Sequence, residues 1–236
     1  MIRVVTYNVH GCKGCDLRVA ADRPLRVLEK IDADVIALQE FVDGTLPTGK
    51  RLLEHWADRL GMRGVYAPAF VRGGELFGNA LLTRFEIVAH CNHDMSIRGF
   101  RRRTFLEVDL RIGGVSLQMM IVHLGLSAGE RARQAGRIEE MSRVMTGDVQ
   151  MWVGDFNEWR PRGVISRTLN SHFASSPPVA TFPAIAPFLP LDRIWLRPAG
   201  HLIDVQTDRS RAAMIASDHL PLIAILSLAA NRTSQV

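Results

Sequence analysis

Lysine is nearly missing from this chain: of its 29 basic residues only Lys13, Lys30 and Lys50 are lysine, and the rest are arginine. Genome composition alone can impose such a bias. The formal charge of +5 and the pI near 9.6 therefore fit a polyanionic or phosphate-bearing partner without identifying nucleic acid. Cysteine is scarce as well. Cys12, Cys15 and Cys91 cannot all pair, which excludes a disulfide scaffold and points to a reducing, cytoplasmic setting. The Cys12-Lys13-Gly14-Cys15 spacing has no second cysteine pair to complete a zinc site, and it reads as a glycine-rich loop. Long apolar runs are missing too. Leu220–Ala230 falls short of the roughly 18 residues that a membrane span needs, and Pro221 interrupts it. Met1–Tyr7 reads as a strand, with none of the charged, apolar and cleavage regions of a signal peptide. No repeat, low-complexity tract or linker divides the chain, so residues 1–236 are expected to form one domain. A hydrophobic content of 47% is ample for a sizeable core.

What the chain does have is polar residues at the ends of apolar runs. Val149–Val153 reads as a buried strand that stops at Gly154 and delivers Asp155 and Asn157. In strand geometry, positions i and i+2 share a side, so the two are expected to converge. The bland alternative is a strand ending in an Asx turn. Residues 2–7 form another strand, ending at Asn8. A helix follows, with Asp22 as its cap and Pro24 in its first turn. Asp34–Leu38 is a strand ending in Gln39-Glu40, and a helix spans about 50–60. Further strands cover 78–83, beginning beside Asn79, and 105–111. Gly113-Gly114 turns the latter into 115–123, which ends at His123. Ser127 and Glu130 have capping-box spacing and open a helix to about Met145. A short helix near 164–169 precedes a proline-rich surface loop, 175–190. The last strands cover 191–196, with Asp192 at the start, 202–206, and 222–228, introduced by Asp218 and His219; the tail 231–236 is expected to fray. Hairpins exclude an all-parallel sheet. The pattern predicts an α+β sandwich: two mixed β-sheets face to face with helices outside.

Gathered at one rim, this set has a definite chemistry. Mg²⁺ takes oxygen ligands, commonly one or two carboxylates with water and substrate phosphate, and Glu40 with Asn8 could hold such an ion. Phosphodiester hydrolysis needs an activated water, a clamp on the phosphoryl oxygens and help for the leaving oxygen. Asp155, Asn157, His123 and His219 cover those tasks. Trp152 and Trp159, flanking the central motif, are expected to pack rather than to stack a base.

Tyr7-Asn8-Val9-His10-Gly11, Leu38-Gln39-Glu40, Gly78–Thr83, His123-Leu124-Gly125, Gly154–Asn157, Leu191–Ile194 and Ser217–Pro221 together resemble the endonuclease/exonuclease/phosphatase superfamily, the deoxyribonuclease I-like proteins. The motifs stand in the family's order over residues 7–221. The resemblance implies a four-layered α/β/β/α sandwich and Mg²⁺- or Mn²⁺-dependent phosphoester hydrolysis. It makes Glu40 the principal metal ligand, supported by Asn8, with Asp218 as a further ligand or a neighbour of one. Asp155 would orient or deprotonate the attacking water, and Asn157 would position it. His219 would bind the scissile phosphate, with Asp192 fixing its tautomer, and His123 would lie near the leaving group. Asn79 departs from the nuclease-type members, which carry a glutamate there to pair with that histidine, so the general-acid duty of His123 is open. Asn79 and Arg103 are candidate substrate contacts, and Arg98, Arg101, Arg102 and Arg103 form a cluster able to grip a polyanion. His10 is expected near the metal site.

The extended signatures Gly154–Trp159 and Thr181-Phe182-Pro183 resemble small bacterial members. A metal-dependent phosphodiesterase or phosphatase ranks first, acting on a phospholipid headgroup, nucleic acid or a small phosphodiester. A DNA endonuclease or exonuclease is the alternative, and a non-catalytic phosphate- or nucleic-acid-binding module the remote one.

Overall fold

The strands of this protein stack as two facing sheets, and the side of each strand on which a residue falls decides its fate. The computed structural model describes residues 1–228, so the expectation for the tail 231–236 lies outside the described residues. The first sheet contains β1 (Ile2–Asn8), β2 (Val35–Val42), β3 (Arg63–Arg72), β4 (Glu75–Thr83), β11 (Leu202–Thr207) and β12 (Leu222–Leu226). Its order is β11-β12-β1-β2-β4-β3. The second holds β5 (Glu86–Asp94), β6 (Thr104–Ile112), β7 (Val115–His123), β8 (Val149–Asp155), β9 (Ala174–Ser175) and β10 (Asp192–Arg197), in the order β5-β6-β7-β8-β10-β9. Both sheets are mixed: β1–β2 and β7–β8 run parallel within otherwise antiparallel ladders.

Three hydrophobic layers hold the assembly together. Val4, Val35, Leu81, Leu106, Met119, Ile121, Met151, Val153 and Ile194 fill the space between the sheets. Their alternate neighbours Val5, Tyr7, Ile36, Leu38 and Leu82 pack outward on α1 (Asp22–Ile31), α2 (Leu52–Leu60) and α5 (Arg211–Ala216). On the other side, Met120, Val122, Trp152 and Trp195 pack on α3 (Ala128–Val144) and α4 (Val164–Asn170). Strands buried on both faces explain the near-continuous apolar runs. The expected α/β/β/α sandwich is therefore present. Trp152 meets Phe105 edge-on at 5.9 Å, and Trp195 meets Phe156 at 4.6 Å, so aromatic packing of about 0.5–1.5 kcal/mol per pair fixes β8 and β10. Trp159, expected to pack, is instead 51% exposed.

Several local expectations change. The N-cap position of α1 is Ala21, which offers no side-chain cap, and Asp22 is instead the first residue of the helix. Ser127 does cap α3, accepting from the Glu130 N–H at 3.1 Å, but the Glu130 side chain does not close the box: it is buried and its Oε1 has no partner. Strands β3 and β5 were not legible in the sequence. They are the edges of their sheets, and β5 is exposed along almost its whole length, so neither carries an alternating apolar pattern. Pro68 in β3 suits an edge strand, where a missing N–H costs little. Within the 175–190 loop, Phe182 pairs with Leu189 in an isolated bridge.

Candidate active site

Four of the expected site residues arrive by one rule. Val4 in β1, Ile121 in β7, Val153 in β8 and Ile194 in β10 all face the space between the sheets. Two residues further along, at the same end of the sandwich, come Thr6 and then Asn8, His123, Asp155 and, in the antiparallel β10, Asp192. Side chains alternate with period two, so each strand pushes its last inward position out of the apolar layer and into a shared rim. Asp192 lies opposite Asp155 and His123 opposite Asp155 in the ladders.

Glu40 breaks that rule and still reaches the rim. By alternation it belongs with Ile36 and Leu38 on the helix side. A register shift between Leu38 and Phe41 and a left-handed backbone at Glu40, φ 51°, re-aim it. Its Oε1 ends 3.6 Å from the His123 Nε2. A left-handed conformation at a residue with a Cβ is costly and concentrates at functional positions.

Asp155 is the centre of the rim. Its Oδ2 accepts from the Asn8 Nδ2 at 3.0 Å and lies 3.6 Å from the His123 Nε2 and 3.8 Å from the His219 Nε2. Its Oδ1 accepts from the Asn157 N–H at 2.9 Å. Asp155 and Asn157 thus converge through a turn, with Asn157 at φ 50°, and not by strand alternation as expected. The Asx turn and the site are the same structure. The Asn157 amide donates to the Leu124 carbonyl at 3.0 Å, locking the two loops that leave β7 and β8. Gly154 permits this close approach: with φ 141°, a Cβ there would stand 2.1 Å from the Val122 carbonyl oxygen. Burial raises the Asp155 carboxyl above its usual range, and Asp192 adds to the effect against the opposing pull of His219.

His219 and Asp192 form a buried pair. The His219 Nδ1 lies 2.7 Å from the Asp192 Oδ2, which also accepts from the Thr181 hydroxyl at 2.6 Å. Burial by itself would lower the imidazole, but the charge of Asp192 and its hydrogen bond outweigh that and raise it to about 10. Phe182 lies against the ring at 4.9 Å. His123 goes the other way: burial first, then Arg103, His219 and Arg101, push it well below its ordinary value, so it is neutral despite two carboxylates near its Nε2.

The remaining candidates divide. Arg103 is 3% exposed and lines one pocket with Glu40, Asn79 and His123. Its Nε and Nη1 have no hydrogen-bond partner, and burial lowers its pKa. Asn79 spends its amide on carbonyls of the opposite sheet, Thr104 at 2.6 Å and Ile121 at 3.4 Å. Asp218 turns towards His10, 3.4 Å from its Nδ1, with about a third of its side chain exposed. Of the arginine cluster, only Arg103 enters the site. Arg101 covers the Phe70 ring at 4.7 Å and Arg102 approaches Asp94 at 3.9 Å on the surface.

Sequence reading passed over the residues that brace this centre. The Ser217 hydroxyl donates to the Asn8 carbonyl at 2.7 Å and accepts from the His219 N–H at 3.3 Å, tying β1 to the last site loop. Arg131 donates to the carbonyls of Gly125 and Leu126 at 3.0 and 2.7 Å, and its Nε lies 3.7 Å from the fully buried Glu158. The extended Gly154–Trp159 signature was the available signal for Glu158, and Thr181-Phe182-Pro183 for Thr181. Removing the Thr181 hydroxyl takes a donor from a buried carboxylate. Thr181→Val is expected to lower the unfolding free energy by about 1.5–3 kcal/mol, read from the urea midpoint. An unchanged midpoint would show that Asp192 does not depend on that bond.

Among the described residues, no set of three or more His, Cys, Asp and Glu side chains converges to hold a metal alone. The donor chemistry nevertheless suits a hard cation. Glu40 and Asp155 bring two carboxylates to one rim, and Asn8 adds an amide oxygen that meets only the His10 N–H, at 3.0 Å. One or two carboxylates, with the other positions left to water and substrate oxygens, is the usual provision for Mg²⁺.

Comparison with known proteins places this geometry. The chain is 29% identical over 245 residues to the uncharacterized protein YbhP of Escherichia coli (strain K12), covering 96% of each. Its fold superposes with a TM-score of 0.75 on an endonuclease/exonuclease/phosphatase from Beutenbergia cavernae DSM 12333, at 20% identity, over 95% of this chain and 71% of that one. It superposes at 0.73 on the mannosyl-6-phosphatase Bt3783 of Bacteroides thetaiotaomicron VPI-5482, at 17% identity, over 96% of this chain and all of the other. The family model for the Endonuclease/Exonuclease/phosphatase family matches residues 5–219, from the strand that carries Asn8 to His219 itself. The chain belongs to the endonuclease/exonuclease/phosphatase family.

Proposed function

We propose that this protein is a Mg²⁺- or Mn²⁺-dependent phosphodiesterase that cleaves P–O bonds by attack of an activated water. The observation that carries the reading is Arg103. A guanidinium 3% exposed with Nε and Nη1 unpartnered is costly to fold, and it lines the same pocket as Glu40 and His123. A phosphate oxygen is the ligand that would complete it.

The roles follow from position. Glu40 and Asn8 would hold the divalent cation, which supplies positive charge to the phosphoryl oxygens when bound. Asp155, raised towards neutrality by burial, accepts the proton of the attacking water, and Asn157 holds the turn that fixes Asp155. His219, kept protonated by Asp192, donates from Nε2 to a non-bridging phosphate oxygen. The neutral His123 offers a hydrogen bond beside the leaving group and not an imidazolium proton. Asp218, turned to His10, stands at the edge of this arrangement.

The test is hydrolysis of bis(p-nitrophenyl) phosphate, which EDTA should abolish and Mg²⁺ or Mn²⁺ restore. Arg103→Met, similar in volume and uncharged, is expected to reduce kcat/KM about ten- to a hundredfold. It should also raise the unfolding free energy of the metal-free protein, because a buried unpaired charge is gone. Full activity in that variant would remove Arg103 from the site. A nuclease reading draws on the exposed Arg98, Arg101 and Arg102. Salt-sensitive nicking of supercoiled DNA at low enzyme would promote it.

A further inference from the structure

The exposed hydrophobic side chains of this protein are not scattered. Among the described residues, nine of the thirteen large apolar side chains left exposed sit on segments that leave the catalytic end of the sandwich. Val71, 68% exposed, lies at the tip of the β3–β4 hairpin, which runs beyond Val42 and so projects past the rim. Phe100, 40% exposed, lies on the loop into β6, just before Arg103. Leu126 follows His123 and Trp159 follows Asn157, at 70% and 51%. Phe188, 70% exposed, lies on the loop before Asp192. The exceptions, Met1, Val88, Val144 and Ile203, belong to the strand and helix ends that point the other way. Isolated exposed apolar residues need no explanation, but their concentration on the segments at one end does.

The charge on the same segments has one dominant sign. Arg72 stands beside Val71, and Arg98, Arg101 and Arg102 flank Phe100; all four are exposed. Their acidic neighbours are Glu75 and Asp94, the latter 3.9 Å from Arg102. A shallow groove lined by Phe70, Val71, Leu76, Arg101 and Arg102 adjoins the catalytic pocket, with Ala69 and Phe70 lining both. Apolar tips interleaved with arginines suit the headgroup layer of an anionic bilayer, where the tips enter the acyl boundary and the guanidinium groups meet lipid phosphates. Single-stranded nucleic acid would instead ask for a continuous platform of aromatic faces, whereas Phe100, Trp159 and Phe188 stand on separate loops among the aliphatic Val71, Leu76 and Leu126.

We propose that the rim docks on an anionic phospholipid surface, and that the site takes a phosphoester presented there by a membrane lipid. The substrate half of this proposal rests on the phosphodiesterase reading; the docking half does not. Among the described residues, no helix is long and apolar enough to cross a membrane.

Docking is tested by sedimentation of the whole protein with phosphatidylcholine vesicles, with and without phosphatidylglycerol, in EDTA. Binding is expected to the anionic vesicles, to weaken with salt, and to fall about tenfold or more in the double variant Phe100→Ser, Trp159→Ser. Both residues are surface-exposed, so that variant should retain its circular dichroism and its hydrolysis of bis(p-nitrophenyl) phosphate. Failure of the wild-type protein to sediment, or wild-type binding by the variant, overturns docking. Loss of DNA binding in the variant without loss of vesicle binding overturns it in favour of nucleic acid. Docking with no release of headgroup or phosphate from the same vesicles once EDTA is replaced by Mg²⁺ or Mn²⁺, in a protein that hydrolyses the soluble diester under those conditions, overturns the lipid substrate alone. Docking with no hydrolysis of either substrate sinks the phosphodiesterase reading and leaves the surface standing.

Discussion

Asp155→Asn is expected to lower kcat towards bis(p-nitrophenyl) phosphate about a thousandfold while making the metal-free protein more stable. The two effects have one origin. Asp155 is 1% exposed, and burial, with the charge of Asp192, disfavours its carboxylate. In the proposed mechanism, the cost of keeping that charge is what would make it a proton acceptor near neutral pH, an effect on the order of 10²–10⁴ in rate. Asparagine keeps the shape and can still accept from the Asn157 N–H, which holds the turn at 2.9 Å in the wild type. It carries no charge, so the folded state is relieved of the penalty, by roughly 1–3 kcal/mol. Steady-state rates with Mg²⁺ and thermal unfolding in EDTA measure both sides. An inactive variant that is also less stable would mean that Asp155 holds the fold, and the assignment as base would lose its support.

The second large effect lies in the His219–Asp192 pair. Asp192→Asn is expected to reduce kcat/KM by roughly a hundred- to a thousandfold and to move the His219 titration from about 10 to below its ordinary value. Burial acts against the imidazolium throughout; in the wild type the Asp192 charge, 2.7 Å from the Nδ1, overcomes it. With asparagine, burial prevails, and the Nε2 side would meet the phosphate of the proposed substrate without a positive charge. The sign of the stability linkage follows. A histidine raised in the folded state contributes stability that is fully present below its unfolded value, roughly 6.5, and that is lost as pH rises through about 10. The wild type should therefore lose stability across that window, and Asp192→Asn should lose less. Histidine NMR titration beside denaturant midpoints from pH 6 to pH 10 tests both; an unshifted His219 resonance in the variant would refute the electrostatic role of Asp192.

These two predictions draw on different kinds of information. Asp155, Asp192 and His219 were legible because each ends or introduces a run of apolar residues, and a charge at such a place demands a partner. Their order along the chain carried the family resemblance, and the match over residues 5–219 bears it out. The layered fold was legible for the same reason: strands covered on both faces leave unbroken apolar runs, and covered helices leave a stripe. Strands β3 and β5 left no such mark, because edge strands exposed to solvent need no apolar face.

By itself, then, the sequence determined the layers, the family and the set of polar residues brought to strand ends, since these depend on local pattern and on the cost of burying charge. Only the tertiary structure decided what that set can do. Alternation aims Asn8, His123, Asp155 and Asp192 inward, but the bulge at Glu40 is a property of the β2–β4 pairing, which no single strand encodes. Thr181 and Ser217 become braces because loops distant in sequence close over the rim. Arg103 was legible as a candidate substrate contact among four clustered arginines, but only the structure showed it buried without a partner while its neighbours stay at the surface. The exposed apolar side chains at the rim end are likewise a matter of assembly: Val71 and Phe188, far apart in sequence, come to the same end of the sandwich only after both sheets have formed.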